Sequence, residues 1–256
     1  QVKLGTDIEE QARWGEAAKM LTGAEVSVLE PNLTVSGANS FAYSGGDGAL
    51  DPVTACQRLA AGAQRYHATV MEQCAVRSAL PNDEGTVTVS TSQGDLIADR
   101  YVVATGADPV ATKALAGVTI PQRSTPGVIV ITKPLRRLIH RVIAAPGIHL
   151  HQRDDGKLVI GDQEGATNNA AHSLRLRERP TRFPDNATAL AQAQRMLAIT
   201  TQFLPAAAAA EVDEVLIGWR PLPLDGHPVL GTPNASPASY LAIMHSGISL
   251  APLVGQ

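Results

Sequence analysis

A mixed α/β fold, in which a β-meander with one helix is joined to an antiparallel sheet with a longer helix, is predicted by three features of this sequence. Asp51-Pro52 is an acidic cap followed by proline at the first helical position, and Val53, Cys56, Leu59, Ala60 and Ala63 then recur on one face. Short alternating runs broken by the turn stretches "PNDEG" and "SQGD" follow, the pattern of a meander. Further on, "GIHLHQRDDGKLVIGD" reads as a hairpin turning at Asp155-Gly156, and a helix capped by Asp185 comes after it.

Taken in chain order, Thr6 with Glu9 three residues later forms a capping-box pattern, and apolar residues at helical spacing carry that helix to Leu21. "AEVSVLEP" predicts a short strand, and residues 32–48 are mostly irregular, ending in the glycine-rich "SGGDG". After the Asp51 helix, "ATVMEQCAVRSAL" and "TVTVST" read as strands, and "DRYVVATGA" as a buried strand ending at Thr105-Gly106. "GVIVITKP" joins the hairpin strands in an antiparallel set. In the Asp185 helix, Ala189, Leu190, Ala193, Met196, Leu197, Phe203 and Leu204 form an apolar stripe that Pro205 terminates. No tandem repeat occurs at a fixed period.

Composition removes several classes of function. Lys and Arg total 21 against 24 acids, with no basic stripe, which argues against a nucleic-acid partner. Two cysteines, Cys56 and Cys74, are too few for a disulfide framework and too irregularly placed for a metal site, so a reducing, cytoplasmic setting and no metal are expected. No apolar run is long enough to cross a bilayer, and "QVKLGTDIEE" lacks the pattern of a secretory signal.

The stretch "GWRPLPLDGHPVLG" is dense in residues that fix backbone shape. Pro221 biases Arg220 toward extended geometry, so the guanidinium is aimed by the backbone, either at an anion or at Asp225 across the turn. His149 and His151 lie on the hairpin, where a strand histidine is either structural or part of a site. His172 and His227 carry no comparable pattern, and His67 reads as a solvated residue at a helix end.

Four fragments, "GALDPVTACQRLAAGAQRYHATVMEQCAVRSA", "VTVSTSQGDLIADRYVVATGA", "GWRPLPLDGHPVLG" and "YLAIMHSGISLAPLVGQ", occur in an order that resembles the FAD-dependent amine oxidoreductases, the group of D-amino-acid oxidase, glycine oxidase, sarcosine oxidase and D-amino-acid dehydrogenase. The resemblance implies a Rossmann-like, partial FAD-binding domain at 45–116 and 215–256, and an antiparallel substrate-binding domain at 1–44 and 117–214. By the same resemblance, Val76 lies beside the adenine of FAD, and Thr105, Gly106 and Ala107 approach its ribose and phosphates. Glycine admits close approach of backbone to phosphate, although "VVATGA" can equally just end a buried strand. His245, Ser246, Gly247 and Ile248 resemble the loop that presents backbone amides to the flavin, and the same residues can cap a helix starting near Leu250. Arg220 matches an arginine that holds the substrate carboxylate, and His149 a residue that contacts substrate.

The implied activity is oxidation of amino acids or secondary amines by hydride transfer to flavin N5. A dinucleotide site ordinarily opens with a strand and a G-x-G-x-x-G turn, and "SGGDGA" lacks both that spacing and a preceding buried strand. "ATGADP" also lacks the tryptophan common after the glycine-alanine pair. The expectation is therefore an internal and C-terminal portion of such an enzyme, its first nucleotide-binding unit lying outside this sequence or on a partner chain. The competing expectation is a non-catalytic binding module that does not retain FAD.

Overall fold

The computed structural model describes residues 2–36, 40–162 and 181–256, so His172 lies outside the described residues. The chain is a mixed α/β protein that divides into two units, one of Gln1–Ala49 with Pro126–Gly218, the other of Leu50–Thr125 with Trp219–Gln256.

The first unit opens with α1 (Val2–Arg13), β1 (Ala18–Leu21), α2 (Gly23–Leu29) and β2 (Phe41–Ser44). Here the sequence reading is corrected three times. Thr6 sits inside α1 rather than capping it, and the helix stops at Arg13, before Gly15 with its φ of +86°. Residues 18–21, expected to be helical, pair antiparallel with Phe41–Ser44, a stretch expected to be irregular. The stretch read as a strand at "AEVSVLEP" is α2, because a capping box forms at Thr22: its Oγ1 accepts the Glu25 N–H at 3.3 Å, and Glu25 Oε2 accepts the Thr22 N–H at 2.8 Å. Two reciprocal cap bonds outweigh the alternation of Val26 and Val28 over so short a segment.

A five-stranded sheet, most of whose residues belong to this unit, follows in the order β11-β7-β10-β9-β8, made of β7 (Gln122–Thr132), β8 (Ile143–Ala145), β9 (Ile148–Gln152), β10 (Leu158–Asp162) and β11 (Val212–Pro223). As the sequence predicts, β9 and β10 form an antiparallel hairpin, with Leu150 opposite Ile160 and Gly156 in the turn at φ +84°. Helix α5 (Asn186–Phe203) is capped by Asp185, whose Oδ1 accepts the Thr188 N–H at 2.7 Å, and a short 3-10 turn, Pro205–Ala209, follows. Ala193, Met196 and Leu204 of that end join Val130, Ile148, Leu150, Leu158 and Ile160 in one core. Leu190, predicted to lie in the stripe, is instead 48% exposed. Buried Asp162 ties the end of β10 to α5 by accepting from Arg195 and, at 2.9 Å, from Gln192.

The second unit starts with α3 (Pro52–Arg65), capped as expected by Asp51, which accepts the Thr54 N–H at 2.8 Å. The meander β3 (Val76–Pro81), β4 (Val87–Thr91) and β5 (Gly94–Ala98) is antiparallel throughout, and β3 is shorter than the run predicted because Gln73 takes φ +55° ahead of it. Next come β6 (Tyr101–Val103) and α4 (Pro109–Ala116). The sequence reading missed α4, although Asp108-Pro109 repeats the cap-and-proline signal of Asp51-Pro52; Asp108 Oδ1 accepts the N–H groups of Val110 and Ala111, each at 3.0 Å. The unit closes with β12 (Val229–Gly231), β13 (Ser239–Ile243) and α6 (Gly247–Val254). Among the described residues no helix is long and apolar enough to cross a membrane.

Candidate functional site

In the second unit β13 lies between β12 and β6 and runs parallel to β6, with Ser239 opposite Tyr101 and Leu241 opposite Val103. Val103, Leu241 and Ile243 are buried with Ala116 and Ile120, which fixes the pair. Because the two strands are adjacent and parallel, the segments leaving their carboxyl ends, 104–108 and 244–247, emerge at the same end of the sheet. That end is where open α/β sheets bind ligands.

In the first of these segments little side-chain chemistry is left over for a ligand. Thr105 Oγ1 and Thr112 Oγ1 share a hydrogen bond of 2.6 Å, and Asp108 is spent on capping α4. What remains is backbone around Gly106, at φ +58°, with nothing within 4 Å of where a Cβ would stand. A phosphate or ribose can approach that surface closely, as it cannot approach a side chain.

In the second segment Ser246 precedes α6 in a left-handed conformation, φ 60° and ψ 31°, which a residue other than glycine rarely adopts. Its hydroxyl does not cap the helix; it hydrogen-bonds His245 Nδ1 at 2.8 Å. The first helical bond runs from the Leu250 N–H to the Ser246 carbonyl at 3.0 Å, so the N–H groups of Gly247, Ile248 and Ser249 are the uncapped first turn of α6. Gly247 and Ile248 are exposed. Such donors, at the positive end of a helix, suit an acceptor-rich edge that gains negative charge.

The other predicted residues are placed as follows. Val76 begins β3, opposite Thr91, and is 46% exposed. Arg220 is half-buried in the last part of β11, before Pro221, and the Asp225-Gly226 turn follows, where Asp225 Oδ1 accepts the His227 N–H at 3.0 Å. These belong to the same unit as Thr105–Ala107 and His245–Ile248, whereas His149 belongs to the other unit, on the exposed side of β9. His67 follows α3, exposed and at φ 67°.

Two features, Gln122 and a cavity in the first unit, lay outside the sequence reading. Gln122, the first residue of β7, has both carboxamide atoms buried without a hydrogen-bond partner among the described residues. A donor and an acceptor side by side match the complementary pair on a heterocyclic amide such as the flavin ring carries. The open surface at Gly106 and the uncapped turn at 247–249, at one end of one sheet, are donors that fit FAD. His151 shares the outer side of β9 with His149, and its pKa is lowered by burial and then by the charges of His149 and Arg153. The first unit also holds a cavity of about 340 Å³ lined by Leu21, Val26, Phe41, Tyr43 and Arg141 among others, where Arg141 lies 5.9 Å from the Tyr43 ring centroid. Arg141 Nη1 donates to the Leu29 carbonyl at 2.9 Å and meets the buried Glu30 at 3.3 Å. No group of three or more metal-ligating side chains occurs among the described residues.

Solved structures of the same fold include L-proline dehydrogenase from P. horikoshii, with a TM-score of 0.83 at 23% identity, covering 98% of this chain and 66% of that one. Glycine oxidase from Geobacillus kaustophilus gives 0.82 at 22% identity, covering 98% of this chain and 64% of the other. Among curated relatives, one of the opine oxidase polypeptides of Agrobacterium tumefaciens (strain Ach5) is 26% identical over 209 residues, which is 82% of this chain and 51% of that protein. Mitochondrial dimethylglycine dehydrogenase of Mus musculus is 37% identical over 82 residues, 32% of this chain and 9% of the relative. The chain thus spans about half of the opine oxidase polypeptide and under two thirds of the glycine oxidase. The family described as "DAO: FAD dependent oxidoreductase" matches residues 2–256, so nearly every residue considered above falls within it, and the chain belongs to that FAD-dependent oxidoreductase family.

Proposed function

We propose that this chain is the flavin-holding and substrate-recognising portion of an oxidoreductase that oxidises amino acids or secondary amines. The observation that carries the reading is the parallel pairing of β6 with β13, which sets the open backbone at Gly106 and the uncapped first turn of α6 at one end of one sheet. Among the similar proteins, glycine oxidase, L-proline dehydrogenase and dimethylglycine dehydrogenase are named for amino acids or N-alkylated derivatives.

When bound, the flavin supplies an acceptor for the hydride on the carbon that bears the amine. The chain's own part is orientation and electrostatics. Backbone at Thr105, Gly106 and Ala107 receives the ribose and phosphates, and Val76 lies at the adenine. The peptide N–H groups from His245 to Ile248 hold the ring edge on which negative charge grows. Arg220 offers a planar fork to the substrate carboxylate, and for His149, in the other unit, the resemblance alone suggests a substrate contact.

A second reading, that FAD is held only when a further segment or partner chain completes the second unit, is favoured by its exposed apolar groups. No residue of α3 is buried, with Val53 and Leu59 exposed by 62% and 65%. Val102 of β6, which has β13 on one side and no strand on the other among the described residues, is 64% exposed.

Visible spectroscopy tests the proposal. The purified chain mixed with FAD and desalted should stay yellow, and anaerobic N-methylglycine or proline should bleach it. Colour retained only after a co-expressed partner is added, with a matching rise in native mass, selects the second reading. A colourless chain in both experiments overturns the proposal.

A further inference from the structure

The strands β1 and β2 form a ribbon whose register sets Leu21 opposite Phe41 and Lys19 opposite Tyr43, so Leu21, Phe41 and Tyr43 share one face. With α2 and residues 141–144 that face borders a cavity of about 340 Å³, and every residue lining it belongs to the first unit. Leu21, Val26, Leu29, Leu33, Phe41 and Ile143 all line it, and each is only half-buried. The core side chains of the same unit are at most 2% exposed, so apolar groups left short of full burial around one space mark surface that a ligand can remove from water. A cavity of about 150 Å³ admits benzene; this one has room for a ring with a short chain.

Arg141 sets the chemistry of this space. Its Nη1 donates to the Leu29 carbonyl at 2.9 Å and to Glu30 Oε1 at 3.3 Å, and its Cζ stands 5.9 Å from the Tyr43 ring centroid. These contacts, from the end of α2 and from β2, hold the guanidinium plane in place before any ligand arrives. The Nε–Nη2 edge donates to no carbonyl or carboxylate among the described residues, and that edge carries the parallel pair of N–H groups that a carboxylate matches. The Tyr43 hydroxyl is the main influence raising the pKa of Arg141, against burial, which lowers it, so a phenol donor lies beside the same group. Two acids also line the cavity. Glu30 is 2% exposed and already engaged: both its oxygens accept the His140 N–H at 3.1 Å, besides meeting Arg141. Asp47 is exposed, where water and salt screen it.

We propose that this cavity binds a small apolar monocarboxylate, whose carboxylate pairs with the Nε–Nη2 edge of Arg141 while its body fills the space among Leu21, Val26 and Phe41. The site is built within one unit and uses neither the flavin donors nor Arg220, so it does not depend on the amine-oxidoreductase reading. A cation of the same shape would meet Glu30 and Asp47 but also the fixed guanidinium, and it is the competing ligand that the experiment must reject.

3-Phenylpropanoate, 3-phenylpropanamide and 3-phenylpropylamine share one body and differ in the head group, and calorimetry on the purified chain ranks them. The acid should bind at least about ten-fold more tightly than the amide, and the amine most weakly. NMR of the guanidinium nitrogens in the unaltered chain should show one arginine Nε–H shifted by the acid and not by the amide. Val26→Phe, which fills the space without changing a charged group, should abolish binding of both acid and amide and remove that shift. Arg141→Lys keeps the charge but not the fork, and should remove most of the acid's preference while the amide stays bound, which also shows that the variant is folded. If that variant does not fold, the shift in the unaltered chain and its loss in Val26→Phe decide the matter. Equal affinities of acid and amide, an amine that binds best, acid binding that survives Val26→Phe, or no binding at all overturns the proposal.

Discussion

The imidazole of His149 lies over the α-carbon of Gly161, across the β9–β10 ladder, and occupies the space where any other residue would carry its Cβ. The two positions are therefore coupled: the absence of a side chain at one determines the orientation of the ring at the other. Gly161→Ala should force the ring off the sheet or the strands apart, at a cost of about 1–3 kcal/mol, the usual range for overpacking. Urea unfolding measures this. The double variant with His149→Ala should recover most of the loss, because the group that clashes is gone; an additive or larger loss would show that the strain lies elsewhere in the ladder.

His151 makes stability depend on pH in a direction that follows from its surroundings. Burial, then His149 and Arg153, lower its pKa from the ordinary 6.5, so the unfolded chain takes up a proton at higher pH than the folded chain does. Its contribution is complete above 6.5, the unfolded value, and is lost as pH falls through the lower folded value. Thermal or urea unfolding from neutral pH downward should show stability decreasing through that window, and His151→Val should flatten this part of the profile. A slope unchanged by the substitution would assign the titration to other groups.

Ser246 is the residue that stores backbone strain at the entrance to α6, with φ at 60° and its hydroxyl turned to His245 instead of the helix. A left-handed conformation in a residue with a side chain costs on the order of 1 kcal/mol or more. Ser246→Gly should then match or exceed the original stability, while Ser246→Val, branched at Cβ, should unfold at distinctly lower denaturant. If the two variants behaved alike, the strain would not reside in this backbone angle.

How far the sequence revealed this structure depended on whether the deciding interaction was local. Asp51-Pro52, Asp155-Gly156 and Asp185 act within a few residues of themselves, and α3, the β9–β10 hairpin and α5 formed where those signals stand. The N-terminal region was misread because two capping patterns compete there: the one at Thr22 and Glu25 starts a helix, whereas Thr6 lies inside α1. The strand at Phe41–Ser44 exists because Ala18–Leu21 pairs with it, a relation that composition does not display. Among the candidate site residues, the loops at Gly106 and Gly247 were proposed from glycine and from resemblance. Gln122 was not, since what distinguishes it is burial without a hydrogen-bond partner among the described residues.

Arg220 is the residue for which sequence left two partners open, a substrate carboxylate or Asp225, and a pair of variants separates them. Asp225 already accepts the His227 N–H across its turn, which gives it a structural role independent of the guanidinium. If Arg220 holds the carboxylate, Arg220→Gln removes a charge-assisted pair of about 1.5–3 kcal/mol and should weaken N-methylglycine binding by about ten- to a hundred-fold. Arg220→Lys should fall between, because an ammonium keeps the charge but not the two-pronged geometry. The methyl ester of N-methylglycine has no carboxylate to lose, so its binding should respond little to either change. Calorimetry on the FAD-loaded chain reads all four combinations. The alternative has a different signature: Asp225→Asn would then reproduce the effect of Arg220→Gln on unfolding, and the acid and the ester would lose affinity together. Because the discriminating quantity is the ratio of acid to ester binding, a general loss of stability in any one variant does not imitate the expected result.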